Sequence, residues 1–135
     1  MSAVCDFAGR VFVRQDLDGF GGDPTYVGDP YACKAFSKLR GSVAGLYQWR
    51  AAQAEEGPER ERMKRAADFA FRQALALCPY HPDVVFRYTS LLTNEGRVDD
   101  ALRVARLAAG FPEIRGAATR LIGELESTPR VQQPP

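Results

Sequence analysis

A pattern of small residues at helical spacing, followed by a proline, occurs twice in this chain, and its helical positions recur after 34 residues. Its two copies are Ala67, Phe71, Ala74 and Pro79, then Ala101, Ala105, Ala108 and Pro112. Repeats of this length are typical of helical hairpins that stack side by side. One hairpin cannot bury its apolar face alone, so neighbouring hairpins must cover each other. The pattern therefore predicts an all-α fold built of antiparallel helical hairpins.

The composition restricts the class of protein. The chain has 135 residues, of which 45% are hydrophobic and 26% charged, and these proportions suit a single globular domain. Its formal net charge is only +1, whereas nucleic-acid-binding proteins usually concentrate a basic excess on one surface. No stretch approaches the roughly 18 apolar residues that cross a bilayer, and the first residues lack a secretory signal. We expect a cytoplasmic protein that binds no nucleic acid and does not insert into a membrane.

Candidate chemical groups are few. The three cysteines, Cys5, Cys33 and Cys78, have no paired spacing, which indicates reduced thiols. The single histidine, His81, forms only half of a zinc site with Cys78, because the sequence has no second pair of ligands. No serine has the surroundings of a catalytic nucleophile, and no glycine-rich segment has a phosphate-binding motif. The sequence thus predicts no catalytic residue, no metal and no cofactor.

Signals for helix starts and ends predict five helices. Asp29-Pro30 is a good start, because the carboxylate caps free N–H groups and proline fits the first turn. Gly57 and Gly96 are suitable ends, because glycine adopts the left-handed conformation that closes a helix. The predicted helices cover residues 30–56, 58–77, 84–94, 99–110 and 113–126.

The domain division follows from these helices. An irregular arm with one short strand at residues 11–14 is expected over residues 1–28, and a disordered tail over 128–135. The helical domain covers residues 29–127. Gly41 and Gly45 inside its first helix indicate either close contact with another helix or a local weakness. The predicted core contains Phe69, Phe71, Leu75, Val85, Tyr88, Leu92, Ala101, Ala105 and Leu121.

Residues 78–112 resemble a tetratricopeptide repeat. Val85, Tyr88 and Leu92 occupy the large positions of its first helix, and the alanines of the second copy occupy the close positions of its second helix. The preceding segment resembles the family in its second helix. This resemblance implies a non-catalytic module that binds a peptide, a partner helix or a neighbouring domain on its concave surface. The residues expected to line that groove are Lys38, Tyr47, Arg50, Arg87 and Asn94.

A homodimer is also expected. A free-standing stack usually needs about three repeats before its members cover each other, and this chain has two hairpins. A second copy packed on the exposed end would supply the missing neighbour.

A second resemblance covers residues 35–108. The segments KAFSKLRGSVAGLYQWRA, ADFAFRQALALCPYHPDVVFRY and GRVDDALRVA are similar to the soluble C-terminal region of large bacterial membrane proteins, which are themselves similar to protein O-mannosyltransferases. This resemblance implies an accessory tail of a membrane glycosyltransferase that supports sugar transfer without performing it. Such a tail would be associated with a membrane only through its catalytic portion. The interaction-module and accessory-tail hypotheses both stay open.

Overall fold

The computed structural model describes residues 1–130, and all regular structure within them is helical. The helices are α1 (Ser2–Ala8), α2 (Pro24–Val27), α3 (Pro30–Gln53), α4 (Pro58–Leu77), α5 (Pro82–Asn94), α6 (Val98–Ala109) and α7 (Arg115–Glu126). The pairs α3–α4 and α5–α6 form antiparallel hairpins, and α7 packs on α6. The prediction of an all-α fold with two hairpins and a further C-terminal helix is confirmed.

The helix ends lie where local capping signals place them. The Asp29 carboxylate accepts a hydrogen bond from the Ala32 N–H at 3.1 Å at the start of α3, one residue before Pro30. Gly57, with φ of 146°, precedes α4, and Gly96, with φ of 76°, separates α5 from α6. Both values lie in the region that favours glycine. These residues therefore set the connections between the helices.

The N-terminal arm is the main local departure from the expected structure. The predicted strand at residues 11–14 is wrong, because Gly9–Val13 forms a π-helical turn that continues α1. Ala8 and Val11 are fully buried, and α1 packs against α4 and α6. A lone strand would leave its backbone groups unpaired, whereas a helical segment pairs its own. The remainder of the arm, over residues 14–23, is irregular.

The core lies where the two hairpins meet. Phe71 of α4 stacks on Tyr88 of α5, with ring centroids 5.2 Å apart. The expected core residues that are buried are Phe71, Leu75, Val85, Tyr88, Leu92, Ala101 and Ala105. Leu121 is only partly buried, and Phe69 was wrongly expected in the core because its side chain is 61% exposed. Phe69 precedes Phe71 by two positions, about 200° around the helix, so only one of them can face the core.

The longest helix, α3, packs through its small residues. Its buried positions are Cys33, Ser37, Gly41, Ala44 and Ala51. A Cβ atom at Gly41 would lie 3.1 Å from Val84 Cγ2, and the guanidinium of Arg87 occupies the space beside Gly45. Both glycines therefore allow close helix contact, which was one of the two alternatives predicted for them.

Two further expectations concern the end of the chain and membranes. The last five positions of the predicted tail, residues 131–135, lie outside the described residues. Among residues 1–130, no helix combines the length and the apolar character needed to cross a bilayer.

Replacing Phe71 with alanine should lower the free energy of unfolding by about 3–5 kcal/mol, because a fully buried ring leaves a cavity. Phe69→Ala on the same helix is the matched control and should change it by less than about 0.5 kcal/mol, because Phe69 is mostly exposed. Urea unfolding followed by circular dichroism measures both. Equal losses for the two variants would contradict the described orientation of α4.

Candidate functional site

Large apolar side chains follow one side of α3 and point away from the core. Phe36, Leu39, Leu46 and Trp49 are between 54 and 64% exposed, and each follows the previous one by three or seven positions. Such spacings keep residues on one side of a helix. Tyr31, which is 89% exposed, lies at the beginning of the same helix. We call the surface formed by Phe36, Leu39, Leu46 and Trp49 the outer face of α3.

The charges of α3 are of one sign. The helix carries Lys34, Lys38, Arg40 and Arg50 but no aspartate or glutamate. All ion pairs among residues 1–130 join residues that come after α3 in the chain. Lys34 and Lys38 lie seven positions before Gly41 and Gly45, on the side of α3 that meets α5, so they stand apart from the outer face.

Two grooves extend the outer face at its first half. One of about 470 Å³ lies between α3 and α4, where Arg40 forms a hydrogen bond with Gln73. The other, of about 420 Å³, lies between the N-terminal arm and the hairpin. Its aromatic lining consists of Phe7, Phe12, Phe20, Tyr26 and Phe36. The Tyr26 hydroxyl donates to the Leu77 carbonyl oxygen at 2.9 Å, which holds the arm against the end of α4.

A cavity of about 610 Å³ lies on another side and is lined by charged residues around Asp68. Asp68 Oδ1 accepts hydrogen bonds from the Tyr88 hydroxyl at 2.8 Å and from Arg97 Nη1 at 2.9 Å. Arg72 Nε lies 2.9 Å from Asp68 Oδ2 as an ion pair. Burial and the hydrogen bond to Asp68 raise the pKa of Tyr88 above its usual value, which keeps this hydroxyl a donor. The cluster thus joins α4, α5 and the start of α6.

The thiols and the histidine lie apart from the outer face. Cys33 and Cys78 are fully buried, and burial raises the pKa of the Cys78 thiol to about 12. A thiol with such a pKa is almost entirely protonated near neutral pH and is a poor nucleophile. His81 precedes α5, and its Nδ1 atom is buried with no hydrogen-bond partner among residues 1–130.

The five residues expected to line a concave groove do not share one surface. Lys38 and Tyr47 are nine positions apart on α3, about two and a half turns, and therefore lie on opposite sides of it. Arg87 packs beside Gly45, with its guanidinium carbon 5.8 Å from the Phe71 ring centroid. Asn94 lines a separate cavity of about 280 Å³. Arg50 is exposed and follows Leu46 by four positions, so it belongs with the outer face. Binding of a partner by any of them stays a prediction.

The sequence carries a signal for the outer face that is separate from the residues of the predicted groove. Large apolar residues and small residues alternate along α3 at helical spacing, which gives the helix two different sides that can both pack. Cys33, Ser37 and Gly41 mark the side that allows close approach to another helix. Small residues on one side and large apolar residues on the other are what we expect of a helix that packs on a core and also binds a partner.

Comparisons of the chain with family models, curated proteins and solved structures find no match. The resemblances to tetratricopeptide repeats and to the mannosyltransferase-like membrane proteins therefore stay predictions.

The pH dependence of stability should report the burial of His81. Burial lowers the pKa of His81; Asp83 opposes this shift, while Lys34 and Lys38 reinforce it. The unfolded chain then binds a proton more readily than the folded one, so stability is retained above the ordinary histidine pKa of 6.5 and falls as the pH drops below it. Urea unfolding at about pH 7.5 and about pH 5.5 should show this loss.

The variant His81→Gln supplies the control, because His81 is the only histidine of the chain. We expect this variant to lose less stability over the same pH interval. Parallel losses in the two proteins would show that His81 does not contribute.

Proposed function

We propose that this chain is a non-catalytic protein–protein interaction module and that the outer face of α3 is its binding surface. The observation that carries the proposal is the alignment of Phe36, Leu39, Leu46 and Trp49, all more than half exposed, along one helix. A contiguous apolar surface of this kind is uncommon on a soluble monomer and marks interaction sites. Tryptophan is moreover among the residues that contribute most at protein interfaces.

The packing of α3 supports this role because it holds the outer face in a fixed position. Ser37 Oγ donates a hydrogen bond to the Ala74 carbonyl oxygen at 2.8 Å on the opposite side of the helix. Gly41 is in close contact with Val84. A surface that is ordered before binding loses less conformational entropy when a partner docks.

The surroundings of the outer face favour a polypeptide over a lipid surface. The grooves beside Phe36 and Leu39 can accept protruding side chains, as helix-binding surfaces do. Glu55 and Glu56 follow α3 and are exposed, so an anionic bilayer lying along the helix would meet two carboxylates. These charges would oppose the attraction provided by Arg50.

The ionisable groups support a binding role over a catalytic one. Asp68, which lines the charged cavity, is already in contact with Tyr88, Arg72 and Arg97. The Cys78 thiol is kept protonated by its raised pKa. A nucleophile or general base needs a partner that activates it, and these groups instead stabilise the fold.

Site-specific photocrosslinking in the native cell tests the proposal. With p-benzoylphenylalanine in place of Trp49, we expect an adduct of defined mass between this chain and a polypeptide that mass spectrometry identifies. Leu39→Glu should abolish the adduct, because a carboxylate on the outer face would have to be desolvated.

Phe69 provides the matched control, because its side chain is as exposed as that of Trp49 but lies on α4 beside the charged cavity. The crosslinker at Phe69 should give no adduct of that mass. The proposal fails if position 49 gives no adduct of any mass, or if the adduct persists in the Leu39→Glu variant.

A further inference from the structure

We infer that the outer face of α3 binds the same face of a second copy of this chain, with the two α3 helices antiparallel around a two-fold axis. This inference rests on the proposed function and names the partner. The axis would pass between Ser42 and Val43, near the middle of the helix.

The spacing of the large side chains supports an antiparallel pair. Leu39 and Leu46 lie at equal distances from the midpoint between Ser42 and Val43, and so do Phe36 and Trp49. A two-fold axis at that midpoint places each Leu39 opposite Leu46 of the other copy, and each Phe36 opposite Trp49. A two-fold interface uses the same surface on both chains, which must therefore be complementary to itself. The outer face of α3 meets this requirement.

Charge supports the same orientation. Arg50 is the cation of the outer face, because Lys34 and Lys38 lie seven positions before Gly41 and Gly45, on the side of α3 that meets α5. In an antiparallel pair about this axis the two Arg50 residues lie roughly 22 Å apart along the helices. A parallel pair would instead bring the two guanidinium groups side by side. Exposed charges add little affinity but select orientation.

The exposed apolar surface of the outer face supplies most of the area that a standard dimer interface buries. The four side chains of the outer face, more than half exposed, offer roughly 500 Å² of apolar surface on each chain. Standard interfaces bury roughly 800 Å² on each partner. The helix is about 36 Å long, and Tyr31 together with the small residues between the large ones can supply the remainder.

Analytical ultracentrifugation of variants with complementary charges tests the arrangement. The wild-type chain should reach twice its mass of 14.9 kDa as its concentration rises. One variant carries Leu39→Glu and the other carries Leu46→Lys. Each alone should dimerise at least tenfold more weakly, because the introduced charge would face a leucine of the other copy. An equimolar mixture of the two should recover affinity, because in an antiparallel pair the introduced carboxylate and ammonium face each other.

The mixture distinguishes an antiparallel pair from other arrangements. Recovery in the mixture supports the inference, whereas two variants that stay monomeric together overturn it. A wild-type chain that remains monomeric at all accessible concentrations also overturns it. Circular dichroism of each variant confirms that the helices are retained.

Single substitutions of exposed apolar residues locate the interface. Leu39→Glu and Leu46→Glu should each shift the chain to the monomer, and Phe69→Glu, with a similarly exposed side chain on α4, should leave the dimer unchanged. Dimers that survive Leu39→Glu would overturn the inference.

Failure of the inference can be separated from failure of the proposed function. If the chain is monomeric and crosslinks at Trp49 to a different polypeptide, the partner is not a second copy, but the proposed interaction module is still supported. A monomer that binds vesicles containing phosphatidylserine through Leu39 and forms no protein adduct overturns both.

Discussion

The close packing of α3 through its small residues is the constraint on which the rest of the structure depends. Gly41 allows Val84 to approach, Gly45 leaves space for the Arg87 guanidinium, and Ser37 binds the backbone of α4. A larger side chain at these glycines would have to displace a neighbouring helix. Because the small residues must face inward, the large apolar residues of the same helix have to face outward.

Polar contacts fix the two hairpins relative to each other and so hold that outer surface in place. Asp68 of α4 binds Tyr88 of α5 and Arg97, which precedes α6. Removing one member of such a partly buried cluster leaves its partners unsatisfied, so the cluster favours one arrangement of the helices. The N-terminal arm then packs over the free side of α4 and α6 and adds aromatic residues beside Phe36. The contacts that stabilise the fold therefore also hold the outer face of α3 in position.

Local sequence signals predicted where the helices begin and end. Long-range packing determines which face of each helix is buried, and local signals do not specify that. Asp29, Gly57 and Gly96 act on their immediate neighbours, which is why the connections between α3, α4, α5 and α6 could be predicted. Periodicity showed that α3 has an apolar side but could not show whether that side meets the core or a partner. Likewise, the contact of Arg87 with Gly45 joins distant segments, so no local signal could place the guanidinium there.

Trp49, the only tryptophan, gives the most direct test of the central claim that the outer face of α3 is exposed in the monomer and covered on association. The measurement is acrylamide quenching of its fluorescence over a range of protein concentrations. The account predicts ready quenching in the most dilute sample and increasing protection as the chains associate. If Trp49 is already protected from acrylamide in the dilute monomer, the outer face of α3 belongs to the core. If Trp49 is equally accessible at all concentrations, the outer face is not part of an interface between copies of the chain.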